Sequence, residues 1–163
     1  MAKSVAEGAS NTKSGSGKTT WLALLRIYMG AYFIHTSIDK FTASYLGEFS
    51  RLVSRWAHHT NFAWYEGFLN NYVLPHAKFF AYLTAIGEFY VGLSLILGFL
   101  SGLAAIFGIL LYINYYLGEG SPEEVWRFGM ILVNLFVIVV TGAGRVFGLD
   151  KFLSKKILFK YIV

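Results

Sequence analysis

"FFAYLTAIGEFYVGLSLILGFLSGLAAIFGILLYINYYL", residues 79–117, carries one charged side chain, Glu88. A helix crosses the hydrocarbon core of a bilayer in about 20 residues, so this stretch is long enough for two crossings. Gly98-Phe99-Leu100-Ser101-Gly102 divides it, and two glycines with a serine predict a tight turn between antiparallel helices. The fold follows from that reading: helices packed together within a membrane.

The flanking sequence repeats the pattern. Residues 128–144 carry no charge, and residues 19–38 carry only Arg26. Four spans are predicted, at about 20–38, 77–99, 102–117 and 125–143. Charged residues are 14% of the chain, against about 25% in a soluble domain, which agrees with burial in lipid. A net charge of +5 invites a nucleic-acid reading, so the location of the basic residues matters. Lys3, Lys13 and Lys18 precede the first span, and Arg145, Lys151, Lys155, Lys156 and Lys160 follow the last. The loop "GEGSPEE", residues 118–124, is acidic, with Ser121 placed as a helix N-cap and Pro122 in the first turn. Positively charged segments stay in the cytoplasm, so both termini are expected there, in a prokaryotic cytoplasmic membrane. The basic balance then requires no nucleic-acid partner.

Between the first two spans, Tyr45, Leu46, Phe49, Leu52, Val53 and Trp56 share one helical face, and Glu48, Ser50, Arg51, Ser54 and Arg55 the other. This predicts an interfacial amphipathic helix at about 45–57. The expected fold is an all-α integral membrane four-helix bundle. Residues 1–18 form a flexible cytoplasmic tail, 19–153 the four-span domain and 154–163 a basic cytoplasmic tail.

"KSGSGKTTW", residues 13–21, resembles a phosphate-binding loop, but that loop needs glycine at position 12, where Thr12 stands, and a buried strand before it. No nucleotide site is expected. The chain has no cysteine, which excludes thiol nucleophiles and thiolate-held clusters. No metal site is expected either: adjacent His58 and His59 cannot face the same way on a helix.

Ionisable groups at membrane depth are the candidates for function. Glu88 lies near the middle of the second span, on a face with Thr84, Gly92 and Leu95. Two readings stand for it: exchange of a proton or a hydrogen bond to a quinone or substrate, and structural pairing with a polar group of another helix. Arg26 shares a seam with Gly30, Phe33, Ser37 and Lys40, at spacings of 4, 3, 4 and 3, and is either a binding residue or a snorkelling cation. Asn134 lies with Arg127, Thr141 and Arg145 on one face of the fourth span. Arg26, Glu88, Asn134 and Arg145 are the candidate quinone- or substrate-binding residues, with Glu88 the candidate for catalysis. His35 and His76 are candidate pigment or haem ligands, with simple hydrogen bonding as the alternative.

"LLRIYMGAYFIHTSIDKF" (24–41), "FLNNYVLPHAKFFAYLTAIGEFYVGLSLILGF" (68–99) and "TGAGRVFGLDKFL" (141–153) together resemble the DoxX/DoxD-like membrane proteins. The positions that match the family pattern are Arg26, Lys40, Glu88, Gly92, Gly142, Arg145 and Asp150. The resemblance implies a four-helix membrane bundle and, in one branch, the small membrane subunit of thiosulfate:quinone oxidoreductase. Two functions stand: a subunit of a quinone-linked electron-transfer complex, as the resemblance implies, or, from the many aromatic and glycine positions and the small size, a non-catalytic accessory subunit of a respiratory or photosynthetic complex that holds lipid or pigment. A small transporter is a third reading, disfavoured because no broken helix is visible. The chain has no redox group of its own, so a quinone, or a pigment or haem held within a larger complex, is the expected cofactor. Membrane lipids and other membrane subunits are the expected partners.

Overall fold

The structure, a computed structural model, describes residues 2–145 and 148–150; the side chains of residues 2–19, Ala43 and Arg145 are outside that description. The predicted basic tail at 154–163 lies outside the described residues. The described residues form six α-helices: α1 (Ala2–Ile38), α2 (Ala43–His59), α3 (Ala63–Phe68), α4 (Ala77–Leu97), α5 (Ser101–Gly118) and α6 (Pro122–Thr141). No strand occurs among the described residues. The helices α4, α5 and α6 are long and apolar enough to cross a membrane. In α1 the helical backbone extends through residues 2–18, where the serines and glycines predict a flexible tail. Extending a helix that is already nucleated adds one hydrogen bond per residue fixed, so an apolar helix can carry a polar extension.

The helix boundaries have local causes. Gly98 ends α4 in the left-handed conformation, with φ 64°, which glycine adopts without a Cβ clash. Ser121 caps α6 by accepting a hydrogen bond from the Glu124 amide at 3.3 Å, with Pro122 in the first turn. Between α3 and α4 the chain forms a π-helical stretch, Leu69–Val73, and a turn at Leu74–His76. Pro75 has no N–H to continue the ladder, so the helix breaks before α4 begins.

The predicted amphipathic helix is present as α2. Its apolar face is buried by protein: Phe49, Val53 and Trp56 join the core, and Tyr45, Leu46 and Leu52 pack against it. The helix rests on α4, α5 and the π-helical stretch.

The most extensive helix pair is α1 with α4. The two backbones touch where Gly30 meets Gly92. A Cβ on Gly30 would lie 2.8 Å from the Gly92 carbonyl oxygen and 2.9 Å from the Ile96 amide nitrogen. A Cβ on Gly92 would lie 2.8 Å from the Ile34 nitrogen. Around this crossing, Arg26, Phe33 and Ser37 on α1 are buried, as are Thr84, Glu88 and Leu95 on α4. The 4, 3, 4, 3 spacing of the sequence is therefore a packing seam.

At the far end from α2, the chain after α6 folds back onto the bundle. The Arg26 guanidinium Nη1 donates to the carbonyls of Ala143 at 3.0 Å and Gly144 at 3.1 Å. The buried Asp150 carboxylate accepts from the Leu100 amide at 2.6 Å, the Ser101 amide at 2.9 Å and the Ser101 hydroxyl at 2.7 Å. It thus satisfies the first free N–H groups of α5 and holds Leu100 at φ 49°. Asp150 also donates its own amide to the Gly98 carbonyl at 2.7 Å.

Since the Gly30–Gly92 contact is between backbones, neither side can yield to a larger residue. Gly92→Val is expected to cost about 3 kcal/mol or more, through overpacking that cannot relax into a rotamer change. Gly47, with open space around its Cα, is the control: Gly47→Ala is expected to be neutral or to stabilise by about 0.5–1 kcal/mol. Thermal unfolding of the two variants in mild detergent checks this, and equal midpoints would contradict the close crossing.

Candidate functional site

Glu88 has no exposed surface, and its carboxylate is held by three side chains from two other helices and the turn after α1. Tyr115 on α5 donates its hydroxyl to Oε1 at 2.7 Å. Lys40, in the 3₁₀ turn Asp39–Phe41 after α1, donates Nζ to Oε2 in an ion pair. The Thr36 hydroxyl lies 3.2 Å from Oε2 and 3.1 Å from the Phe33 carbonyl, so its one proton has two acceptors. Lys40 also donates to the Tyr115 hydroxyl oxygen at 3.2 Å. Lys40, Tyr115 and Glu88 form a closed triangle of charge-assisted hydrogen bonds.

Burial and charge oppose each other at Lys40. The ammonium is largely buried, which pulls its pKa below the ordinary lysine value, and the Glu88 carboxylate pushes it back up. Its two bonds to protein use two of three N–H donors. Its ammonium also sits 5.2 Å from the centre of the Tyr115 ring, within cation–π range.

The triangle borders a cavity of about 430 Å³. Tyr32, Thr36 and Lys40 line it from the α1 side, Tyr112 and Tyr115 from α5, Trp56 from α2 and Phe128 from α6. The rings are in mutual contact: Tyr112 lies 5.0 Å from Tyr115 and 5.1 Å from Phe33, and Trp56 5.3 Å from Tyr115. Asp39, Glu119, Glu124 and Arg127 also line the cavity, and Glu124 and Arg127 form an ion pair. The volume falls within the range of small-molecule sites, about 300–1,000 Å³. Walls of this kind suit a flat ring carrying an oxygen acceptor.

The candidates from the sequence do not all meet here. Arg26 is buried ten residues back along α1, about 15 Å of helix rise from Thr36, and is bonded to the turn after α6 at the opposite end of the bundle. Asn134 donates to the Met130 carbonyl of its own helix at 2.9 Å and lines an outer groove between α5 and α6. The Arg145 backbone belongs to the 3₁₀ turn Ala143–Arg145, and its side chain is outside the described residues. His35 is exposed and lines the cavity. His76 is exposed too, with Nδ1 3.1 Å from the Tyr72 carbonyl. No group of three or more His, Asp or Glu side chains placed to hold a metal occurs among the described residues.

Thr36 and Tyr115 are functional candidates that the sequence reading did not single out, and Lys40 was read there as a seam and family-pattern position but not as a binding residue. Lys40 had a signal, because it ends the seam that packs on the Glu88 face of α4. Tyr115 had a weaker one, a tyrosine one turn after Tyr112 on the same helix.

Comparison with known families matches the DoxX family to residues 21–117, a stretch that contains Lys40, Glu88 and Tyr115. No curated protein and no solved structure matches the chain.

Removing one member of a buried ion pair leaves the other charge uncompensated. Lys40→Met is expected to cost about 3 kcal/mol, and Lys40→Met with Glu88→Gln to recover most of it, because a neutral amide keeps its bonds to Tyr115 and Thr36. Unfolding of the single and double variants in detergent measures the coupling. Additive effects would show that the pair is not energetically linked.

Proposed function

The chain belongs to the DoxX family, and on that premise we propose that it is a multi-pass membrane subunit of a quinone-linked electron-transfer assembly, with the Lys40–Glu88–Tyr115 triangle as its ligand site. The observation that carries this reading is a fully buried carboxylate, paired with a lysine, beside an aromatic cavity. Ionisable groups are costly at membrane depth and tend to mark substrate or proton pathways.

The residues fit a quinone head group. Lys40 has an N–H to offer a carbonyl oxygen, and Tyr32 and Tyr112 add hydroxyls to the same wall. The rings of Tyr112, Tyr115 and Phe128 give flat apolar surfaces against which a planar ring packs. A quinone, when bound, supplies the electron acceptor. The chain's own part is to hold and orient the ring and to move protons. Glu88 takes up or gives up a proton, Tyr115 shares it through the bond to Oε1, and Lys40 balances the charge. The electrons come from a partner subunit, since no side chain here is redox-active at ordinary potentials.

In this reading the apolar part of α1, from Thr20 to Ile38, is the fourth span. The termini are cytoplasmic by the distribution of lysine and arginine, and the loop between α5 and α6 lies outside. The helix α2 is the lid of the site at the outer interface. The thiosulfate-oxidising branch of the family supplies the reaction class to test first.

Thiosulfate-driven quinone reduction in native membranes is expected to fall at least tenfold with Glu88→Gln, while the chain still accumulates and still co-purifies with its partner. Unchanged turnover would remove Glu88 from the mechanism. Unchanged turnover in membranes lacking the chain altogether would favour the accessory role, in which it holds lipid or pigment at the edge of a larger complex.

A further inference from the structure

The two ends of the bundle differ in what they allow to reach Glu88. On one side lies the cavity, where the end of α1, the end of α5 and the start of α6 bring together Asp39, Glu119, Glu124 and Arg127. Charged side chains on a cavity wall need water, so this opening faces the aqueous phase rather than lipid. Lys40, 17% exposed, stands between that opening and the fully buried Glu88.

On the other side of Glu88 the core is closed. Phe33, Val91, Leu95 and Leu135 have no exposed surface, and Ile138 has 1%. The Gly30 and Gly92 backbones touch at this level, which leaves no gap between α1 and α4. Farther along, the end is tied shut by Arg26 on the Ala143 and Gly144 carbonyls and by Asp150 on the start of α5. Interiors packed in this way have few voids large enough for water.

We propose that the site is a one-sided vestibule: ligand and protons reach Lys40 and Glu88 only from the end of the bundle that carries the loop between α5 and α6, and nothing passes through to the other end. The inference rests on the reading of Glu88 as the working group. It adds the side from which the group is served, and it sets the chain apart from transporters, which need alternating access from both sides. With both termini cytoplasmic, the side served is the outer one, so the acceptor head group and the exchanged protons are handled at the outer surface.

The absence of cysteine from the sequence makes a direct test available. Single cysteines are placed at Thr36 and Leu52, which line the vestibule, at Ser94, which is buried in α4, and at the exposed Glu123 as a reference for the loop side. A charged, membrane-impermeant thiol reagent is then applied to either face of sealed vesicles containing the full chain. Thr36→Cys and Leu52→Cys are expected to react from the same face as Glu123→Cys, at least tenfold faster than from the other, and Ser94→Cys from neither until the protein is denatured. Reaction of Thr36→Cys from the opposite face, from both faces equally or from neither would overturn the proposal. So would labelling of Ser94→Cys in the folded protein. One-sided labelling together with full turnover of Glu88→Gln would retain the vestibule and reject Glu88 as the proton-handling group, so the two claims fail separately.

Discussion

A carboxylate without exposed surface inside an apolar bundle must be met by a cation and by hydrogen bonds, and meeting Glu88 organises the elements around it. Lys40 can reach it only if α1 ends at the level of Glu88. The chain accordingly leaves α1 at Ile38, passes through the short turn that holds Lys40 and starts α2 at Ala43. The height that α1 does not fill beside α4 is filled by α2, with α3 packed behind it on α2 and the π-helical stretch. The apolar face of α2 is therefore buried by protein, with Phe49, Val53 and Trp56 closing over Tyr115 and the π-helical stretch. On the other side of the pair, the Gly30–Gly92 contact brings α1 close enough to α4 for Thr36 to touch the same carboxylate.

The helical elements were legible because their signals are collective. Long uncharged runs, a glycine-bounded turn and a Ser-Pro start each restrict a whole segment, and α4, α5 and α6 lie within a few residues of the spans read from them. The amphipathic helix was legible for the same reason. What its apolar face covers was not, because a hydrophobic stripe is the same whether lipid or protein meets it. Glu88 was legible from its isolation in an apolar run. Its partners were not, since pairing across helices depends on the register at which they cross, and two glycines set that register here. Arg26 shows the same limit. Its position on the α4-facing seam could be read from spacing, whereas its bonds to Ala143 and Gly144 arise from a turn more than a hundred residues away.

The bundle is polarised along its length. One end is tied by backbone carbonyls, a buried arginine and a capping aspartate, with glycines allowing the segments to touch. The other end is lined by aromatic rings and opens through charged side chains. Closure at one end and a lined cavity at the other set the Lys40–Glu88 pair between them, on helices that pack closely. This arrangement suits a site that holds a ring and exchanges protons with it.

On the proposed reading, the ligand of this chain is held against Lys40 and Tyr115. Photoaffinity labelling with an azido-quinone, followed by mass-spectrometric mapping of the labelled peptides, tests it most directly. Saturable labelling is expected at the end of α1 and at the Tyr112–Tyr115 turn of α5 alone, competed by unlabelled quinone and lost with Lys40→Met. Saturable labelling in the outer grooves between α4 and α5 or between α5 and α6, with the end of α1 unlabelled, would contradict it.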